Sequence, residues 1–105
     1  MIVTDVPELT RFEGRVDGDL VGFLEYTRSE GVWSLDHAFT FPAHRGNGYA
    51  ARITEAALDA ARAAGVRVKP VCPFVADYLD QHPTYADLAV TTAGGRDADG
   101  DDSET

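Results

Sequence analysis

From Thr10 to Phe41 the apolar positions mostly recur every second residue, which is the period of β-strands. Thr10 to Val16 sets Phe12, Gly14 and Val16 on one face. Asp17-Gly18 supplies the residues a tight hairpin turn needs, and Leu20 to Arg28 continues the sheet. In this second run Leu20, Gly22, Leu24 and Tyr26 alternate with Val21, Phe23, Glu25 and Thr27, so both faces are partly apolar. That pattern predicts a strand covered on both sides. Ser29-Glu30-Gly31 forms the next turn, and Val32 to Phe41 is a third strand carrying Trp33, Leu35, Phe39 and Phe41. Three antiparallel strands in a meander follow. Pro42 ends the run because it has no amide hydrogen to give a neighbouring strand.

The period then changes. Tyr49, Ile53, Ala56, Ala57, Ala60 and Ala64 recur at three- and four-residue spacing, while Arg52, Glu55, Asp59 and Arg62 point elsewhere, which predicts a helix over 49–64. Gly65 is placed to close it in the left-handed conformation. Val66 to Val71 reads as a short buried strand, completing a strand, glycine turn, helix, strand crossover. Pro73 suits the first turn of a second helix with Phe74, Val75, Tyr78 and Leu79 on its apolar side, stopped before Pro83. One further turn at Tyr85 to Leu88 and an edge strand at Val90 to Thr92 complete the expectation. The whole is an α/β domain with a mainly antiparallel sheet and two principal helices over residues 1–92.

Residues 93–105 are acidic and lack large apolar side chains, and are expected to be disordered. The chain has 105 residues, 44% hydrophobic, enough for one core and too few for two. Its formal net charge of −9, with Lys69 the only lysine, speaks against nucleic-acid binding. An acidic shell fits either general solubility or a halophile's protein. Neither a basic-then-apolar leader nor a long apolar run is found, so a cytoplasmic protein without membrane contact is expected, as a monomer or weak homodimer. The lone Cys72 cannot form an internal disulfide, and His37, His44 and His82 show no metal-ligand spacing, so no metal is expected.

Arg45-Gly46-Asn47-Gly48-Tyr49-Ala50 lies between a strand and the strongest helix. The amides of such a helix start attract anions, two glycines let the main chain approach a phosphate, and Arg45 adds a fork of donors. A plain glycine-rich chain reversal is the alternative. A nucleoside triphosphate loop is excluded, because no lysine with a following hydroxyl residue comes after Gly48.

Arg45, Gly48 and Ala50 match the pattern arginine, two residues, glycine, one residue, glycine or alanine. With Phe39-Thr40-Phe41-Pro42 before it, the alanine-rich helix after it, Val71-Cys72-Pro73-Phe74-Val75 and His82-Pro83-Thr84-Tyr85, the chain resembles the minimal, single-cysteine branch of the GCN5-related N-acetyltransferases over roughly residues 9 to 88. The resemblance implies the acyl-coenzyme A N-acyltransferase fold, with a sheet splayed near its centre. It implies acetyl-coenzyme A as co-substrate, its pantetheine arm along Ala38 to Phe41 (with Phe39, Thr40 and Phe41 as contacts) and its pyrophosphate on Gly46, Asn47, Gly48, Tyr49 and Ala50 beside Arg45. It also places Cys72 close to the thioester, and implies a chain without the N-terminal helices and most C-terminal strands that form the acceptor pocket in longer members.

Acetyl transfer needs a nucleophile at the thioester, a proton acceptor and a donor to the oxyanion. Either an acceptor amine attacks directly, with His37 or a water-linked carboxylate taking the proton, or Cys72 attacks first and carries the acetyl group. Cys72 at a helix start is otherwise a buried small hydrophobe. His37 and His82 are candidates for proton handling, against a polar strand position and a helix end. Tyr78 and Tyr85 read as core or hydrogen-bonding residues more than as acids. The expected activity is acetyl transfer to an amine, small-molecule or protein, and the alternative is a non-catalytic module that binds coenzyme A or an acyl-coenzyme A.

Overall fold

The computed structural model describes residues 1–90. Five strands form one sheet in the order β1-β2-β3-β4-β5: β1 (Ile2–Val6), β2 (Arg11–Val16), β3 (Asp19–Ser29), β4 (Val32–Thr40) and β5 (Arg67–Pro70). The first four are antiparallel neighbours, and β5 runs parallel to β4. The hairpin at Asp17-Gly18 forms as the sequence predicts: both residues take positive φ, 52° and 87°, whose twist matches that of the flanking strands.

Helix α1 (Tyr49–Ala64) crosses from β4 to β5, and α2 (Pro73–Gln81) follows β5. Both contribute to a single core on one face of the sheet, with Phe12, Leu24, Tyr26, Leu35 and Val68 from the strands meeting Ile53, Ala57, Leu58, Val75 and Leu79 from the helices. A Cβ on Gly14 would stand 2.8 Å from Ile53 Cδ1, so a side chain at that position of β2 would require Ile53 to shift.

Four details differ from the sequence expectation. β1 was not anticipated, because Ile-Val-Thr-Asp-Val has no clean alternation. It is an edge strand with Ile2 71% exposed, held by its ladder to β2 and by Asp5, which accepts from the Tyr26 hydroxyl and the Arg28 guanidinium. The buried stripe of α1 is Ile53, Thr54, Ala57, Leu58 and Ala61, about one position round from the predicted one. In so alanine-rich a helix, Ile53 and Leu58 decide which way it turns.

Nor is β3 covered by elements on both sides. The helices take the face of Leu24 and Tyr26, while Phe23 and Glu25 are half-buried on the other. Phe74, predicted on the apolar side of α2, is 41% exposed.

Six residues of 3-10 helix (Pro83–Leu88) follow α2. The Val90 N–H then donates to the Val68 carbonyl at 2.8 Å, and Ala89 bridges to Val68. The rest of the predicted edge strand, Thr91 and Thr92, and the acidic segment 93–105 lie outside the described residues. Among the described residues no helix is long and apolar enough to cross a membrane.

Candidate active site

Three features meet at the end of β4. The first is a strand edge. β5 pairs with β4 only from Val32 to Leu35, and the Cys72 N–H closes the pairing on the Leu35 carbonyl at 2.9 Å. From Asp36 to Thr40 no described strand pairs with that edge, although β3 still pairs on the other. The sheet is splayed as the resemblance implied. A register shift between Glu25 and Tyr26 leaves Asp36 unmatched at the parting point, its carboxylate accepting the Ser34 and Thr27 hydroxyls.

The second feature is the turn into α1. Gly46 and Gly48 have φ of 87° and 75°, and a Cβ at either would meet nothing within 4 Å among the described residues. Glycine is required here by the left-handed backbone, and the space beyond is open. Gly48 caps α1 and, among the described residues, no side chain caps it, so the first amides of the helix have no intrahelical or side-chain partner there. Arg45 donates through Nε to the Thr40 carbonyl at 3.0 Å, and Asn47 donates to the His44 carbonyl at 3.0 Å, tying the turn to the end of β4. The amides face a cavity of about 340 Å³ bounded by Thr40, Arg45, Gly48, Tyr49, Ala50 and Phe74. Phe74 had no signal in the sequence beyond its expected place in a core.

The third is Cys72. It is 5% exposed, caps α2 from an extended conformation, and belongs to the same core as Leu35 and Val75. It is therefore both the small buried hydrophobe and the residue next to the parting of β4 and β5. Of the predicted contacts, Thr40, Arg45, Gly46, Gly48, Tyr49 and Ala50 line one cavity. Phe39 and Phe41 stand apart from it on the face without helices, where their rings pack with Phe23. His37 is exposed on that face too, 6.3 Å from the Phe39 ring, whereas Cys72 is in the core on the other face.

A second cavity of about 350 Å³ between α1 and α2 shares Phe74 with the first and includes Arg52, Glu55, Asp77, Tyr78 and His82. His82 stacks on Tyr78 with ring centroids 3.8 Å apart. Its Nδ1 is 2.8 Å from the Tyr78 carbonyl, which can only accept, so Nδ1 carries the hydrogen. Burial, and then the charges of Glu55 and Asp59, push the Tyr78 hydroxyl above its ordinary pKa. Tyr85 donates to Asp59 at 2.7 Å, and that bond with burial raises it to about 12. Neither phenol is suited to give up a proton near neutrality.

The family model for GCN5-related N-acetyltransferases matches residues 11–88, from the start of β2 to the last 3-10 turn. The chain belongs to that family. Among solved structures, the acetyltransferase fold seen here is similar to the NMR structure of a GCN5-like protein from Staphylococcus aureus. That likeness has a TM-score of 0.65 and 16% identity, over 85% of this chain and 87% of that one. A crystal structure of ribosomal-protein-alanine N-acetyltransferase from Brucella melitensis biovar Abortus 2308 aligns with 22% identity over 84% of this chain and 67% of that one, at a TM-score of 0.49. No curated protein matches this N-acetyltransferase.

Proposed function

We propose that the chain, with residues 1–92 as one unit, binds acetyl-coenzyme A at the end of β4 and transfers its acetyl group directly to an amine. The observation that carries this is the uncapped start of α1 opening into the cavity beside an unpaired strand edge. A diphosphate suits the first: free amides and the positive end of the helix meet there, and Arg45, whose guanidinium bonds the Thr40 carbonyl and lies 5.7 Å from the Phe39 ring centroid, stands at the rim. An amide-bearing arm suits the second, because the edge from Asp36 to Thr40 offers backbone groups in strand geometry.

On this reading the pyrophosphate lies on Gly46 to Ala50, the pantetheine runs along Ala38 to Phe41, and the thioester rests at the parting of β4 and β5, between Cys72 on the core side and His37 on the open side. Burial of Cys72 in the core supports direct attack by the amine over an acetyl-cysteine intermediate. His37, exposed on β4, accepts the proton from the amine. It is the histidine on the strand that the arm would follow.

A thermal-shift titration tests the ligand. Acetyl-coenzyme A should stabilise the protein saturably, by about 2.7 kcal/mol at a hundred times Kd, while acetyl-pantetheine, lacking the pyrophosphate, should do far less. Gly48→Ala should abolish most of the shift, and no shift for the wild type would overturn the reading. Intact mass after incubation tests the route: an acetyl adduct that disappears in Cys72→Ala, together with lost turnover, would replace direct transfer with the covalent path.

A further inference from the structure

We propose that Glu25 selects the acetyl acceptor: its carboxylate holds the ammonium of a primary amine whose apolar stem lies along Phe23, Phe39 and Phe41. This rests on the preceding reading, in which acetyl-coenzyme A follows the free edge of β4 and His37 accepts the proton.

The ladder between β3 and β4 places Glu25 opposite His37 and Phe23 opposite Phe39. Directly opposed side chains on a sheet stand about 5 Å apart at Cβ, so a carboxylate and an imidazole share one rung and two phenyl rings the next. The Phe23 and Phe39 centroids are 5.4 Å apart, and Phe41 extends the row with its ring 5.2 Å from Phe39. None of these three rings belongs to the core under the helices. They form an apolar floor that leads from the turn before α1 to Glu25 and His37, flanked by the guanidinium groups of Arg11 over Phe23 and Arg45 over Phe39, so a stem follows the ring edges between them.

Glu25 is half-buried, and among the described residues it has no ion pair and no side-chain hydrogen bond. Its neighbours explain why. Arg11 is opposite Glu25 on the β2 side, but its guanidinium bonds Glu13 at 2.7 Å and lies 4.4 Å over the Phe23 ring. Asp36 has one oxygen taken by Ser34 and the other by Thr27. Glu25 is thus the carboxylate beside His37 whose oxygens are not engaged, and partial desolvation makes it a stronger partner for a cation than a fully exposed one.

In the reaction, the ammonium donates to Glu25 while His37 removes one of its protons. The neutral nitrogen attacks the thioester carbonyl, so a C–N bond forms and the C–S bond breaks. The sulfur departs as thiolate and takes the second proton lost by nitrogen, giving free coenzyme A. The amide product is uncharged, has no claim on Glu25, and leaves.

The test uses n-hexylamine, a blocked Gly-Lys-Gly peptide and glucosamine as acceptors, so that a free alkylamine, a lysine side chain and a polar amine are separated. At least one of the two apolar-stemmed amines should exceed glucosamine in kcat/KM by roughly ten-fold, and whichever it is names the source of the acceptor. Glu25→Gln should raise the KM of that amine by roughly ten-fold or more without changing the KM of acetyl-coenzyme A. Glu25→Asp should recover part of the loss. Glu8→Gln, the same charge change at an exposed position, should leave both constants alone.

An amine KM unchanged in Glu25→Gln, or glucosamine as the best acceptor, overturns this proposal and leaves the acetyl-transfer reading standing. A wild type that binds acetyl-coenzyme A and acetylates none of the three overturns both. If Glu25→Gln fails to fold, a melting curve will show it, and an amine KM in Glu25→Asp equal to that of the wild type then overturns the proposal.

Discussion

The two faces of the sheet are built from the same three strands and differ in almost everything else. Under the helices Phe12, Leu24 and Leu35 meet α1 and α2 in one continuous core, with the first 4% exposed and the other two fully buried. The opposite face carries no helix among the described residues and is held by shorter-range devices: Arg11 and Arg15 clamp Glu13, Arg11 lies over Phe23, and the Phe23, Phe39 and Phe41 rings pack on one another. The first arrangement removes apolar area from water, and the second buries Glu13 under its two arginines but leaves Phe23, Glu25, Phe39 and Phe41 half-buried where a ligand can still reach them. Stability is therefore expected to reside mainly on one face and acceptor chemistry on the other, with the end of β4 serving both.

Substitutions of similar size on the two faces give the largest expected difference. Leu24→Ala removes a fully buried side chain from the core and should cost about 3 kcal/mol, lowering the melting temperature by roughly 15 °C. Phe23→Ala, one residue away on the other face, should cost about 1 kcal/mol, since that ring is already partly in water. Equal losses in paired melting curves would mean that the aromatic face is a second core, and the division drawn above would fail.

How much of this division was legible in the sequence depends on contrast between residue types. The meander was legible because Asp17-Gly18 and Glu30-Gly31 interrupt clear alternation. The turn into α1 was legible because glycines at left-handed positions have few substitutes. β3 was misread as covered on both sides because alternation records which residues are apolar, while Phe23 can be sheltered by two other rings and an arginine without any covering element. β1 was missed because an edge strand held by Asp5 to Tyr26 and Arg28 depends on partners more than twenty residues away. Cys72 and His37 could both be named, but their placement on opposite faces of the sheet needed the registers of β4 with β3 and β5.

A pH series sharpens the contrast at an intermediate size. Hydrogen bonds from Arg11, and secondarily from Arg15, hold the Glu13 carboxylate below its ordinary pKa of 4.5. A depressed folded-state pKa contributes stability that is present above the unfolded-state value and is lost as pH falls through the folded one. The wild type should thus lose stability below about pH 4.5, part of it through Glu13. Glu13→Gln should be about 1 kcal/mol less stable at pH 7, with the gap closing toward pH 3. A gap that stayed constant with pH would show that the variant acts through packing, and that the ionic clamp contributes little to this face.

The smallest expected effect lies in the covered face and has the opposite sign. Thr54 is fully buried in α1, and its Oγ1 has no hydrogen-bond partner among the described residues. A buried hydroxyl without a partner gives up its water for nothing, whereas a methyl of the same shape loses nothing on entering the core. Thr54→Val should therefore raise stability by about 1 kcal/mol, read as roughly 5 °C in melting temperature, and leave acetyl-coenzyme A binding unchanged because Thr54 is not among the residues around the loop cavity. A loss of stability would mean that the hydroxyl finds a partner in solution, and that the covered face is less purely apolar than its packing indicates.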